Sequence, residues 1–152
     1  MRRVLGWGVL LLFVAVNLGA CASMGDSTST AAPSLYKRLG GREGIATVVG
    51  DFTANMAADA RVNERFKGIK PEALEKFKSN LADQICEVAG GPCSYLGKDM
   101  KTAHKGMKIT EAEWNATVEN LVKALDKNNV DAKSKQELLA ILGPMKTDIV
   151  GQ

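Results

Sequence analysis

One histidine, His104, is all the imidazole this chain contains. A catalytic triad needs histidine beside a nucleophile and an orienting acid, and no such arrangement is visible around His104. The three cysteines, Cys21, Cys86 and Cys93, lack the paired Cys-x-x-Cys spacing of a structural zinc site, even with His104 added. No phosphate-cradling Gly-x-x-x-x-Gly-Lys loop and no dinucleotide fingerprint is present. Charge of one sign is not in excess. The formal net charge is +3, and Arg2 and Arg3 supply most of it, so no basic stripe points to nucleic acid. No segment alternates apolar and polar residues as a half-buried strand does.

The 152 residues suffice for one domain and a leader. Arg2 and Arg3 precede an uncharged, mostly apolar run from Val4 to Val16. That run is shorter than the roughly 20 apolar residues a bilayer span needs, and it suits the core of a signal peptide. Leu18-Gly19-Ala20-Cys21 follows and resembles a bacterial lipoprotein signal, in which the cysteine is lipidated and becomes the new N-terminus. The expected organisation is a signal peptide over 1–20, lipidated Cys21 with a flexible tether over 21–33, and a folded domain over 34–152. The tether assignment rests on its Ser, Thr, Ala and Gly content and its lack of apolar periodicity. The expected location is the cell envelope, anchored to a membrane and facing the periplasm or the exterior. For Cys86 and Cys93, free thiols are the favoured reading. A disulfide is the alternative that an oxidising compartment permits, because spacing alone does not bring two Cβ atoms together.

Within the domain the apolar periods are helical. Ile45, Val48, Val49, Phe52 and Met56 fall on one face of a helix between Arg42 and Asp59. Pro71 suits the first turn of a second helix, with Leu74, Phe77, Leu81, Ile85 and Val88 as its stripe, ended by Gly90-Gly91-Pro92. Residues 93–98 read as loop, and Asp99 as the cap of a short helix carrying His104. Thr110 and Glu113 have capping-box spacing ahead of Trp114, Val118, Leu121, Val122 and Leu125. Asp131 caps a last helix, which Gly143-Pro144 should interrupt. The fold class is all-α.

Read from chemistry alone, a lone histidine is more often a core or surface residue than a ligand. Haem ligation is nevertheless the one cofactor role it can fill unaided, since haem needs one imidazole and an apolar slot. The order of local motifs then bears on the choice: Leu39-Gly40-Gly41, Gly50-Asp51-Phe52, Phe66-Lys67-Gly68, Gly90-Gly91-Pro92-Cys93-Ser94-Tyr95, and Met100 before His104-Lys105-Gly106-Met107. In order and spacing this series resembles the group I truncated haemoglobins, from residue 34 to about 150. The resemblance implies a two-over-two helical sandwich around a b-type haem (iron protoporphyrin IX). It implies His104 as iron ligand, Phe66 against the porphyrin face, and Tyr95, Met100 and Met107 as haem contacts. Phe77, Leu81 and Ile85 then form the distal wall, and Lys98 or Lys101 either pairs with a propionate or lies on a solvated face.

The distal side departs from that family's pattern. Thr53 stands where a tyrosine usually follows the phenylalanine of the first long helix. Asn80 and Gln84 lie beside the stripe of Phe77, Leu81 and Ile85 rather than on it. A mainly apolar distal pocket is expected, with Thr53, Phe77 and Leu81 around the ligand and the Thr53 hydroxyl as its donor. The implied partner is a diatomic gas: oxygen, nitric oxide or carbon monoxide. Nitric oxide dioxygenation would also need an electron donor and a distal donor group, so the residues assign no enzymatic activity. A lipid-anchored interaction, redox or sensor module without a gas-transport role is the alternative.

Overall fold

The computed structural model describes residues 32–152. The leader, Cys21 and most of the tether lie outside the described residues. Seven α-helices and two 3-10 turns are found among those described: α1 (Leu35–Arg38), α2 (Gly41–Ala58), a turn over Asn63–Phe66, α3 (Pro71–Val88), α4 (Met100–His104), α5 (Glu111–Lys127), α6 (Ala132–Leu142), a turn over Gly143–Met145, and α7 (Lys146–Ile149). The only β pairing among the described residues is an isolated bridge between Ile109 and Val150.

The helix boundaries follow from side chains that satisfy free backbone groups. Asp99 accepts from the Thr102 N–H and starts α4, and Asp131 accepts from the Ser134 N–H and starts α6. Thr110 and Glu113 form a reciprocal capping box at the start of α5. Gly143-Pro144 breaks the last long helix into a 3-10 turn, because proline has no N–H to continue the ladder.

Helix α2 packs on both α3 and α5, and α4 packs on α7. The stripe of α2 (Ile45, Val48, Val49, Phe52 and Met56) is buried along its whole length. It meets Ile85 and Cys86 from α3, Leu121, Ala124 and Leu125 from α5, and Leu138 from α6. Helix α3 is different. Ile85 is buried, yet Phe77 near its start is 38% exposed. A helix whose apolar face is only half covered lines a cleft rather than a core.

The expectation of free thiols is corrected. Cys86 and Cys93 form a disulfide with Cα atoms 5.8 Å apart. The cause is the turn between them. Gly90 takes a left-handed φ of 78°, and the Gly91 N–H donates to the Cys86 carbonyl at 2.8 Å, folding the chain back over the end of α3. A Cβ on Gly91 would fall 2.6 Å from Cys86 Sγ and 2.5 Å from the Tyr36 ring. Only glycine leaves the space in which the sulfurs meet.

Candidate functional site

Between α3, α4, α5 and the C-terminal turn lies a cavity of about 830 Å³, within the size range of small-molecule and cofactor sites. Phe77, Leu81, Ile85, Tyr95, Met100, His104 and Met107 all line it. Phe52 of α2 and Trp114, Val118 and Leu121 of α5 complete its apolar walls. A second cavity of about 230 Å³ adjoins the first and shares Phe77, His104 and Met107 with it. Phe66 lines this second space rather than the larger one, and its ring meets Phe77 edge-on, with centroids 5.9 Å apart.

His104 closes α4, the short helix fixed by Asp99. Its ring Nδ1 lies 2.8 Å from the Met100 carbonyl one turn earlier. A carbonyl can only accept, so the proton sits on Nδ1 and the lone pair on Nε2. This is how a hydrogen bond to the far nitrogen selects the tautomer of a metal-binding histidine and fixes its ring. The backbone beyond it is held as well: the Gly151 N–H donates to the Ile109 carbonyl at 2.9 Å, and the Lys108 N–H donates to the Gln152 carbonyl.

Tyr95 sits in the loop behind the disulfide. Its hydroxyl donates to the Lys98 carbonyl at 2.7 Å, and burial raises its pKa above the ordinary tyrosine value. A Cβ on Gly97 would lie 2.3 Å from the ring, so the loop is wrapped around it. Lys98 lines the cavity, as does Lys76, which the sequence pattern did not single out. Lys101 is not among the lining residues. Beside the second cavity, Arg65 pairs with Glu113 at 2.7 Å and donates to the Met107 carbonyl at 2.8 Å. The Arg65 guanidinium holds the Glu113 carboxyl down at about 2, helped by the Thr110 N–H.

Two distal expectations change. Thr53 is buried, but it does not line the cavity, and its hydroxyl donates to the Val49 carbonyl one turn back in α2 at 2.7 Å. A threonine in mid-helix has this local acceptor within reach, so its only proton is spent there. Asn80 and Gln84 were placed off the apolar stripe, yet both line the cavity. The face α3 turns to the cavity is wider than a line of i, i+4 positions, as helix faces usually are. Gln84, three residues after Leu81, falls inside that width, and this was the signal available in the sequence.

A family model described as bacterial-like globin matches residues 34–150. A group 1 truncated hemoglobin from Tetrahymena thermophila is 30% identical over 79% of this chain and 97% of its own length. Another, from Mycolicibacterium paratuberculosis, is 28% identical over 76% of this chain and 83% of its own. Among solved structures, truncated hemoglobin from Tetrahymena pyriformis in its Fe(III) form superposes with a TM-score of 0.73, at 28% identity, over 79% of this chain and all of that one. The 2/2 hemoglobin from Synechococcus sp., in the cyanomet state with covalently attached heme, superposes with a TM-score of 0.70 at 29% identity, over 78% and 98% of the two chains. The architecture is therefore that of the two-over-two helical sandwich.

Proposed function

This chain belongs to the bacterial-like globin family, and from that membership we propose that it is a haem protein that binds a diatomic gas at the cell envelope, held there by a lipid on Cys21. The observation that carries the haem reading is His104: an imidazole with Nε2 available, fixed by the Met100 carbonyl, in the wall of a large apolar cavity. The donor chemistry fits a haem iron, for which one axial imidazole suffices. The chain has no Cys-x-x-Cys-His sequence for covalent attachment. Its only imidazole, His104, would serve as the axial ligand, leaving no second one for attachment. A b-type haem held by packing and one axial bond is the form these residues suit.

Bound haem supplies the iron on which a small gas is held. The residues do the rest. Phe77, Leu81 and Ile85 offer apolar surface on the α3 side, and Trp114 and Val118 offer it from α5. Lys76 and Lys98 line the same cavity and would supply positive charge for the propionates. The apolar walls exclude water, which protects a bound gas from displacement and the metal from oxidation.

The envelope reading rests on the leader pattern, and the Cys86–Cys93 disulfide agrees with it, since such bonds persist in oxidising compartments. The test of the haem reading is a Soret band in the full-length chain expressed with haem supply, and its loss or weakening in His104→Ala. Stoichiometric, tightly held haem in that variant would refute His104 as the ligand.

A further inference from the structure

We propose, resting on the haem reading, that Arg65 is a positioning residue for His104: its guanidinium holds the chain that follows the iron ligand, and so sets the iron–histidine bond and the retention of haem. His104 ends α4, and five residues carry the chain from there to the Thr110 cap of α5. Two of the five have left-handed backbone, Gly106 with a φ of 80° and Lys108 with a φ of 49°. Glycine takes that region freely. Among the described residues only Lys108 and Asn129 take it without being glycine. Asparagine tolerates it through local hydrogen bonds of its short side chain, whereas the lysine Cβ crowds the following carbonyl. A backbone of this kind persists only where its surroundings hold it.

Two clamps hold it. The C-terminal residues supply one, through the Gln152 carbonyl and the Gly151 N–H on either side of Ile109. Arg65 supplies the other, from the turn that also carries Phe66. Its Nη1 donates to the Met107 carbonyl at 2.8 Å, and its Nε donates to Glu113 Oε1 at 2.7 Å. The second Glu113 oxygen accepts from the Thr110 N–H at 2.8 Å and from the Thr110 hydroxyl at 2.9 Å. The Met107 N–H in turn donates to the His104 carbonyl at 3.0 Å. An unbroken line of hydrogen bonds therefore runs from the backbone of His104 through Met107 and Arg65 to the first turn of α5. A guanidinium suits this position, because its planar fork fixes direction as well as distance for two acceptors at once. His104 and Met107 line both cavities, and Arg65 lines only the smaller one, so it acts on the ligand from behind. Arg61 provides a contrast four residues earlier. It pairs with Asp59 and Glu119, each at 2.7 Å, and lines neither cavity.

The test uses the full-length chain purified in detergent with haem bound. Arg65→Met keeps the apolar stem and removes the guanidinium. Arg65→Lys keeps the charge without the fork, and serves if Arg65→Met does not fold. Arg61→Met removes an ion pair of the same kind that has no link to His104. Three quantities are measured: the iron–histidine stretch of the ferrous protein by resonance Raman, the rate of haem transfer to excess apomyoglobin, and the urea midpoint. The expected result for Arg65→Met is an iron–histidine stretch at lower wavenumber and haem loss about tenfold faster, the effect of one lost charge-assisted hydrogen bond. Arg65→Lys should show the same shifts in smaller measure. Arg61→Met should lower the urea midpoint and leave the stretch where it is. An unchanged stretch in both Arg65 variants would overturn the proposal, even with lowered stability, because the pair would then be structural only. An equal shift in Arg61→Met would overturn it as well. A wild-type chain with no iron–histidine stretch at all would overturn the haem reading first, and this proposal with it.

Discussion

At the scale of single residues, the site depends on where protons are committed. His104 gives its Nδ1 proton to Met100, which leaves Nε2 for a metal. Thr53 gives its proton to Val49 and has none left for the cavity. Gln84 keeps its amide among sulfurs. A second commitment is electrostatic. Glu113 has its carboxyl pKa pulled from 4.5 to about 2, first by Arg65. A carboxylate with a depressed folded pKa contributes stability that is fully present above its unfolded value and is lost as pH falls through the folded value. Glu113 therefore contributes fully above about pH 4.5, and the contribution disappears between there and about pH 2. Unfolding followed by circular dichroism over this range should show a steep acid loss in the wild type. Glu113→Gln should be less stable at neutral pH and flatter in acid. Parallel acid profiles for the two would remove the ion pair from the account.

At the scale of elements, the caps and the disulfide set the positions of the two short pieces that flank the cavity. The Cys86–Cys93 bridge joins the end of α3 to the loop carrying Tyr95. Closing so short a ring removes about 2–3 kcal/mol of unfolded-chain entropy in the loop-closure model. Urea unfolding of oxidised and reduced protein should differ by about that amount, with the reduced form weaker. Equal stability would mean that the glycine turn alone holds the loop. Every long helix was legible in the sequence, because each carries a periodic apolar face, and Pro71, Thr110 and Asp131 mark the starts of α3, α5 and α6. The apolar cavity wall of Phe77, Leu81 and Ile85 was legible for the same reason. Three things were not. The disulfide depends on how Gly90 and Gly91 fold back, which spacing does not encode. The threonine back-bond competes locally with any long-range role. Gln84 was missed because a strict stripe is narrower than the face a helix turns toward a cavity.

At the scale of the whole molecule, the described domain is a globin sandwich, and the proposal adds a lipid anchor on Cys21 ahead of it. Lipid attachment predicts that Cys21→Ser abolishes incorporation of radiolabelled palmitate and releases the protein from the membrane fraction. Full palmitate labelling in that variant would exclude Cys21 as the lipidated residue. Within the domain the central claim is that the cavity of about 830 Å³ holds haem on His104. The most direct measurement is the absorption spectrum of the full-length chain in its ferric, ferrous and carbon monoxide forms, beside His104→Ala. A Soret band that shifts on reduction and again on carbon monoxide binding, and that His104→Ala loses, is the expected result. A chain that folds with its helices intact yet takes up no haem, or that keeps the same spectrum without His104, would contradict it.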